Sequence, residues 1–167
     1  MRKRARLGMA MFLLSEAVFF FMLIAAFVYF RSASLAAAAA NLNLGTAAIY
    51  TVCLMASSFT MWRAAATGSR IWLMGTILLG AVFLFGQGSE YLRLFQQKIT
   101  ISQSLFGTTF FTLTGLHGLH VFVGIVMLAI LLGLERPVAV ETVALYWYFV
   151  DVVWVAIFAI VYLWTFR

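Results

Sequence analysis

The chain has 167 residues, of which 65% are hydrophobic and 10% charged, with a mean hydropathy of +1.07. A soluble domain is about a quarter charged, so this composition excludes a soluble enzyme or binding module and indicates a polytopic membrane protein with room for about five spans of ~20 residues. The net charge of +6 is not a nucleic-acid footprint: Arg2, Lys3, Arg4 and Arg6, four of the eleven basic residues, gather at the N-terminus as a topology signal.

In chain order, the first predicted span is Met9–Phe30. A signal-peptide core is ~7–15 residues long, and this run is longer and contains Glu16, so it reads as a retained span. The Ala-rich stretch after Arg31 reads as a loop or a helical extension. The second span is about Gly45–Ala66, and the short ATGSR loop, bracketed by Arg63 and Arg70, joins it to the third, Ile71 to about Leu92. Cys53, the single cysteine, lies in an apolar segment; it excludes an intrachain disulfide and any CxxC metal site. A longer loop, RLFQQKITISQS, leads to a fourth span, about Leu105–Leu134, which is longer than a bilayer needs and is expected to tilt or project. The sole proline, Pro137, fits a stop and turn after it. The fifth span is Val143–Phe166, with aromatics at Tyr146–Phe149 and Tyr162–Phe166 that resemble interfacial belts. The expectation is an all-α, five-helix transmembrane bundle forming one domain over residues 1–167.

With the N-terminus inside, seven basic residues (Arg2, Lys3, Arg4, Arg6, Arg63, Arg70, Arg136) fall on the inner side and four (Arg31, Arg93, Lys98, Arg167) on the outer, which predicts an N-in, C-out topology.

Ionisable groups at membrane depth are costly and usually face a bundle interior or a wet cavity. His117 and His120, the only two histidines, are spaced three apart and share one helix face; Gly115 and Gly118 share an adjacent face that would admit a close helix. The histidine pair admits three readings: structural imidazoles bonded to neighbouring helices, a ligand pair, or part of a protonatable cluster. At a rise of ~1.5 Å per residue, Glu16 lies roughly 10 Å from the inner surface and Asp151 roughly 12 Å. The two histidines lie roughly 18–22 Å from the outer end of span four, which in a core ~30 Å thick is the same cytoplasmic half. Glu16, His117, His120 and Asp151 thus converge on one depth, as a static polar clamp, a proton-holding site or a coincidence of depth. Glu90 and Arg93, three apart near the outer end of span three, read as an interfacial surface pair or a lipid headgroup contact. Trp147, Asp151, Trp154 and Phe158 form one stripe, read as an aromatic wall beside Asp151. Metal chemistry is poorly supported. Two histidines on the same side of one helix cannot be opposed axial ligands of one haem, and no third imidazole exists.

Four stretches carry a family resemblance: LGMAMFLLSEAVFF (Leu7–Phe20), GQGSEY (Gly86–Tyr91), TISQSLFGTTFFTLTGLHGLHVFVG (Thr100–Gly124) and ALYWYFVDVVWVAIFAIVYLW (Ala144–Trp164). Together they resemble subunit III of haem-copper terminal oxidases, cytochrome c oxidase type, in its five-helix bacterial form. The family's intramembrane glutamate corresponds to Glu16, its HGLH histidines to His117 and His120, and its aspartate to Asp151; Tyr148 stands where the family often has histidine. The resemblance implies a non-catalytic accessory subunit in a bacterial inner membrane. It implies packing beside catalytic subunit I and the other oxidase subunits, with haem and copper held by those partners and none here. It also implies bound phospholipid and support for complex stability, oxygen access and proton uptake. Relative to the seven-helix form, the first two helices are missing. Related chains accompany quinol oxidases and nitric oxide reductases, which is the alternative reading; a small membrane transporter is a distant third, because broken helices in two matching halves are absent.

Overall fold

A computed structural model describes residues 2–30, 43–97, 105–133 and 137–163, and all regular structure in them is helical. The expectations placed on Arg31, the Ala-rich stretch, Lys98, Arg136 and residues 164–167 lie outside the described residues. Five helices are long and apolar enough to cross a membrane. They are α1 (Arg2–Tyr29), α2 (Leu44–Thr67), α3 (Arg70–Gln96), α4 (Leu105–Gly133) and α5 (Pro137–Phe158), the last continued by a π-helical turn, Ala159–Leu163.

The helix limits have local causes. The Asn43 side chain accepts a hydrogen bond from the Thr46 N–H at 3.1 Å, capping the start of α2. Gly68 ends it at φ 66°, a left-handed conformation that glycine adopts without steric cost, and its N–H returns to the Ala64 carbonyl. The α2–α3 turn is therefore only Gly68 and Ser69. Two limits differ from the expected ones. The basic head is helical from Arg2, because nothing in it breaks a helix. Pro137 opens α5 rather than terminating α4: proline suits the first helical turn, where its missing N–H costs nothing. The helix thus begins six residues before the expected Val143 and brings Glu141 into its second turn, where it pairs with Arg6 of α1.

Neighbouring helices alternate in direction. Thr60 meets Thr76 and Asn43 meets Glu90 across α2 and α3; Gln87 meets Thr114 across α3 and α4; Tyr146 and Trp154 meet His120 and His117 across α4 and α5. α1 runs parallel to α5, as the Arg6–Glu141 and Phe12–Tyr146 contacts show. α5 is the central helix, packed against α1, α2 and α4, whereas α1 packs chiefly on α4 and α5.

The tightest joint is at Trp147, which is fully buried. A Cβ on Gly80 would stand 2.7 Å from its Cη2, and one on Gly124 would stand 3.0 Å from its Cε3, so two glycines form the slot for the indole. Of the pair singled out in the sequence, Gly118 does admit a neighbour: a Cβ there would come 2.9 Å from Gln87 Oε1. At Gly115 the nearest such contact, to Tyr91 Oη at 3.6 Å, is ordinary. The aromatics expected as a belt at the start of span five are largely core: Tyr146 is 2% exposed and Trp147 0%, while at its other end Tyr162 is 3% exposed. The extra helical turns before Val143 move Tyr146 and Trp147 away from the helix end and into the packed middle.

Candidate functional site: intramembrane histidines and carboxyl groups

Of the four ionisable residues, Glu16 and His120 pair with each other, Asp151 pairs with a serine hydroxyl, and His117 lies among aromatic rings. Glu16 of α1 meets His120 of α4, Oε2 to Nε2 at 3.1 Å. The other ring nitrogen, His120 Nδ1, lies 2.7 Å from the Leu116 carbonyl, which can only accept, so Nδ1 carries a proton. One further proton must lie in the Nε2–Oε2 contact: either an imidazolium faces a carboxylate, or a carboxylic acid donates to a neutral ring. The contact is thus a hydrogen bond between two ionisable groups. It sits at the rim of the bundle, with side-chain exposure of 16% for His120 and 20% for Glu16. Tyr146 donates its hydroxyl to the His120 carbonyl at 3.0 Å, tying α5 to this turn of α4. A groove of about 260 Å³, lined by Met9, Phe12, Leu119, His120, Val123, Met127 and Tyr146, runs beside the pair.

The second pair is in the core. Ser58 of α2 donates to Asp151 Oδ2, and Oδ1 has no partner among the described residues. Asp151 is 3% exposed. The Asp151 carboxyl thus faces a hydroxyl on α2, not an imidazole.

His117 lies fully buried among three aromatic rings. It stacks on Trp154 at 4.9 Å between centroids and meets Phe83 and Phe20 edge-on at 5.8 and 6.4 Å. Neither ring nitrogen has a hydrogen-bond partner among the described residues. Phe20 also touches His120, at 5.0 Å, so one ring bridges both imidazoles. Equal depth brought the four residues to the same level, but a single carboxyl–histidine cluster does not form. α4 presents His120 toward α1 and turns His117 inward toward α3 and α5, a difference in azimuth that depth cannot reveal.

Glu90 and Arg93 pair as spaced, but not on the surface. Glu90 is 8% exposed, and its Oε1 also accepts the Asn43 N–H at 3.2 Å, so the carboxyl ties the start of α2 to α3. Trp147 and Trp154 likewise face inward: their indole N–H groups donate to Ser57 Oγ and Thr51 Oγ1, each at 3.0 Å. Glu90, read as part of an interfacial surface pair, thus joins α2 to α3 inside the bundle, while Trp147 and Trp154 line the buried wall beside Asp151, each with its indole N–H satisfied on α2. A small cavity of about 20 Å³, roughly the space of one water, adjoins Glu90, Tyr91, Gln87, Thr114, Trp154 and Tyr162. Among the described residues, no three His, Cys, Asp or Glu side chains share one site.

A family model described as "Cytochrome c oxidase subunit III" matches residues 1–166. The chain belongs to that family. A "Cytochrome c oxidase subunit 3" of Corynebacterium diphtheriae is 37% identical over 93% of this chain and 85% of its own length. One from Synechocystis is 33% identical over 93% of this chain and 74% of its own. One from Arabidopsis thaliana is 44% identical over a shorter stretch, 55% of this chain and 37% of its own.

Residue-by-residue reading of this subunit III family chain missed the hydroxyl partners. Ser57, Ser58 and Thr51 on α2 receive Trp147, reach Asp151 and receive Trp154 respectively, although span two carried little resemblance. The available signal was the Ser57–Ser58 doublet inside an apolar run, since buried hydroxyls need partners on a neighbouring helix. Gln87 was also passed over: its Nε2 donates to the Thr114 carbonyl at 2.5 Å and to Tyr91 Oη at 3.1 Å, and Tyr91 Oη and Thr114 Oγ1 lie 2.6 Å apart.

Proposed function

We propose that the chain is a non-catalytic accessory subunit of a proton-pumping haem-copper terminal oxidase of the cytochrome c type. It sits beside catalytic subunit I in a bacterial inner membrane. Haem and copper reside in partner subunits, and this chain binds phospholipid and contributes stability, oxygen access and proton uptake. The observation that carries the reading is the one-proton Glu16–His120 contact at the bundle rim, in a chain matched by the family model over residues 1–166. A hydrogen-bonded ionisable pair at an accessible rim suits proton supply better than one in a closed core would. The relatives named above are cytochrome c oxidase subunits, which favours that type over a quinol oxidase or nitric oxide reductase.

The test is removal of this chain from its complex. The haem spectrum of the remainder should be unchanged, while activity decays faster during turnover. Loss of a haem or a copper on removal would overturn the accessory role.

The topology proposed is N-in, C-out. Arg4, Arg6, Arg63 and Arg70 lie at one end of the alternating helices, the α1 N-terminal end, and the positive-inside bias assigns that end to the cytoplasm. A cysteine introduced at Ser69 in a Cys53-free background should react in intact cells only with a membrane-permeant reagent. Labelling by an impermeant reagent would invert the topology.

A further inference from the structure

The α2–α3 hairpin carries a cation that no acid among the described residues neutralises. No Asp or Glu occurs between Glu16 and Glu90, so the whole hairpin is acid-free up to the far end of α3. Arg63, in the last turns of α2, has no ion-pair partner among the described residues. Its guanidinium lies instead over two indoles, 5.5 Å from the Trp72 ring and 6.0 Å from the Trp62 ring. Phe59 completes the shelf, 5.7 Å from Trp62 and 6.3 Å from Trp72.

A guanidinium stacked on aromatic rings keeps its charge while its plane is fixed, and its N–H edge stays available to an oxyanion. Bracing of this kind reduces the entropy lost when a phosphate binds. The apolar part of the site points to the ligand's other half. Phe59 is 56% exposed and Trp62 54%, immediately beside the cation and within a turn or two of the helix end. Indoles at that depth are suited to the boundary between headgroups and acyl chains. A free phosphate would use the guanidinium but not the exposed rings; a phospholipid uses both.

We propose that Arg63, braced by Trp62 and Trp72 at the α2–α3 turn, is a headgroup site for an anionic phospholipid. Its phosphodiester meets the guanidinium, and its acyl chain lies along the Phe59–Trp62 face. The site is separate from the Glu16–His120 rim, which is on α1 and α4. It rests on the phospholipid binding proposed above and names one place for it; lipid retention tests this site, whereas the haem spectrum and turnover after removal of the chain test the accessory role.

The full chain, with whatever subunits co-purify, is placed in nanodiscs of phosphatidylcholine containing a minor share of phosphatidylglycerol, and retained lipids are counted by native mass spectrometry. The wild type should hold phosphatidylglycerol in preference to phosphatidylcholine, and Arg63→Gln should reduce the retained phosphatidylglycerol about tenfold. Arg63→Lys keeps the charge, and with it any topology signal, but lacks the planar fork; it should recover only part of the retention. The lysine variant also decides the matter if the glutamine variant does not fold. Equal retention by Arg63→Gln and wild type would overturn the proposal, and so would full retention by Arg63→Lys, which would reduce the site to a diffuse positive field. In the same mixed discs, an Arg63-dependent adduct of added inorganic phosphate that displaces phosphatidylglycerol would overturn the lipid site and make this a free-anion site instead.

Discussion

α1 and α5 run in the same direction and pack against each other, and each carries one intramembrane carboxyl group, yet the two groups are satisfied in opposite ways. α5 is central: Trp147, Asp151 and Trp154 are almost wholly buried, and the partners of all three side chains are hydroxyls on α2. α1 is peripheral: Phe20 and Phe27 are its buried apolar side chains, whereas Leu14, Phe21 and Met22 are more than 60% exposed. Its carboxyl meets an imidazole at the rim. The difference separates two uses of a polar residue in an apolar helix. In the middle of the bundle it fixes helix register through a hydroxyl that offers no titratable partner. At the rim it meets a second ionisable group, 3.1 Å away, where water or lipid can reach both.

The largest expected effect is on the central side of this comparison. Trp147→Ala should destabilise the chain by about 3–5 kcal/mol, the usual cost of deleting a buried aromatic side chain. The slot shaped by Gly80 and Gly124 has no side chain of its own to collapse into the void, and Ser57 Oγ loses its donor. Reversible unfolding in mixed micelles measures this. A cost below about 1 kcal/mol, typical of an exposed site, would mean that α5 is not the central helix.

A middle-sized effect compares the two carboxyl groups directly. Ser58→Ala leaves the Asp151 carboxyl with no partner in the core, and Glu16→Ala leaves His120 Nε2 with none at the rim. Each should cost about 1–3 kcal/mol, the penalty of an unsatisfied buried group. Ser58→Ala should cost more, because Asp151 is 3% exposed while the His120 side chain is 16% exposed and water can reach it. Glu16→Gln should cost least: its amide can donate to Nε2 while Nδ1–H stays on the Leu116 carbonyl. The reverse order of the two alanine variants, in the same unfolding measurement, would show that the rim is the drier site.

The fold was legible in the sequence wherever an apolar run long enough to cross a membrane ended at charge, glycine or a polar loop, which is why α2 and α4 lie within a residue of their expected limits. The start of α5 was not, because Pro137, four residues after Gly133, reads equally as the end of one helix or the first turn of the next. The Glu16–His120 contact was legible from depth and the need for a partner, since few side chains at that level could satisfy either. Which histidine would face α1 was not, because it depends on the rotation of α4 about its own axis, set by Gln87 at Gly118 and Trp147 at Gly124. The Ser57, Ser58 and Thr51 contacts were hidden for a related reason: hydroxyls in an apolar helix can also bond to their own preceding turn, and Ser57 does, to the Leu54 carbonyl at 2.6 Å.

The smallest expected effect on the chain itself is on the outer face of α1, and there it separates stability from assembly. Phe21 is 68% exposed and Met22 63%, with no core neighbour to lose, so Phe21→Ala and Met22→Ala should each change the unfolding free energy by no more than about 0.5 kcal/mol. α2 has a similar face, with Ile49, Val52 and Phe59 all more than half exposed. Smooth aliphatic and aromatic faces of this kind are covered by lipid or by another subunit. If the oxidase partner docks here, the paired alanine variants should leave the isolated chain as stable as wild type yet lower its recovery with the other subunits, and photo-cross-linkers at Phe21 and Val52 should capture the catalytic subunit. Cross-links arising only from α4 and α5 would place the partner on the opposite side. The exposed face of α1 would then be a lipid-facing wall, and the rim pair of Glu16 and His120 would border lipid rather than a neighbouring subunit.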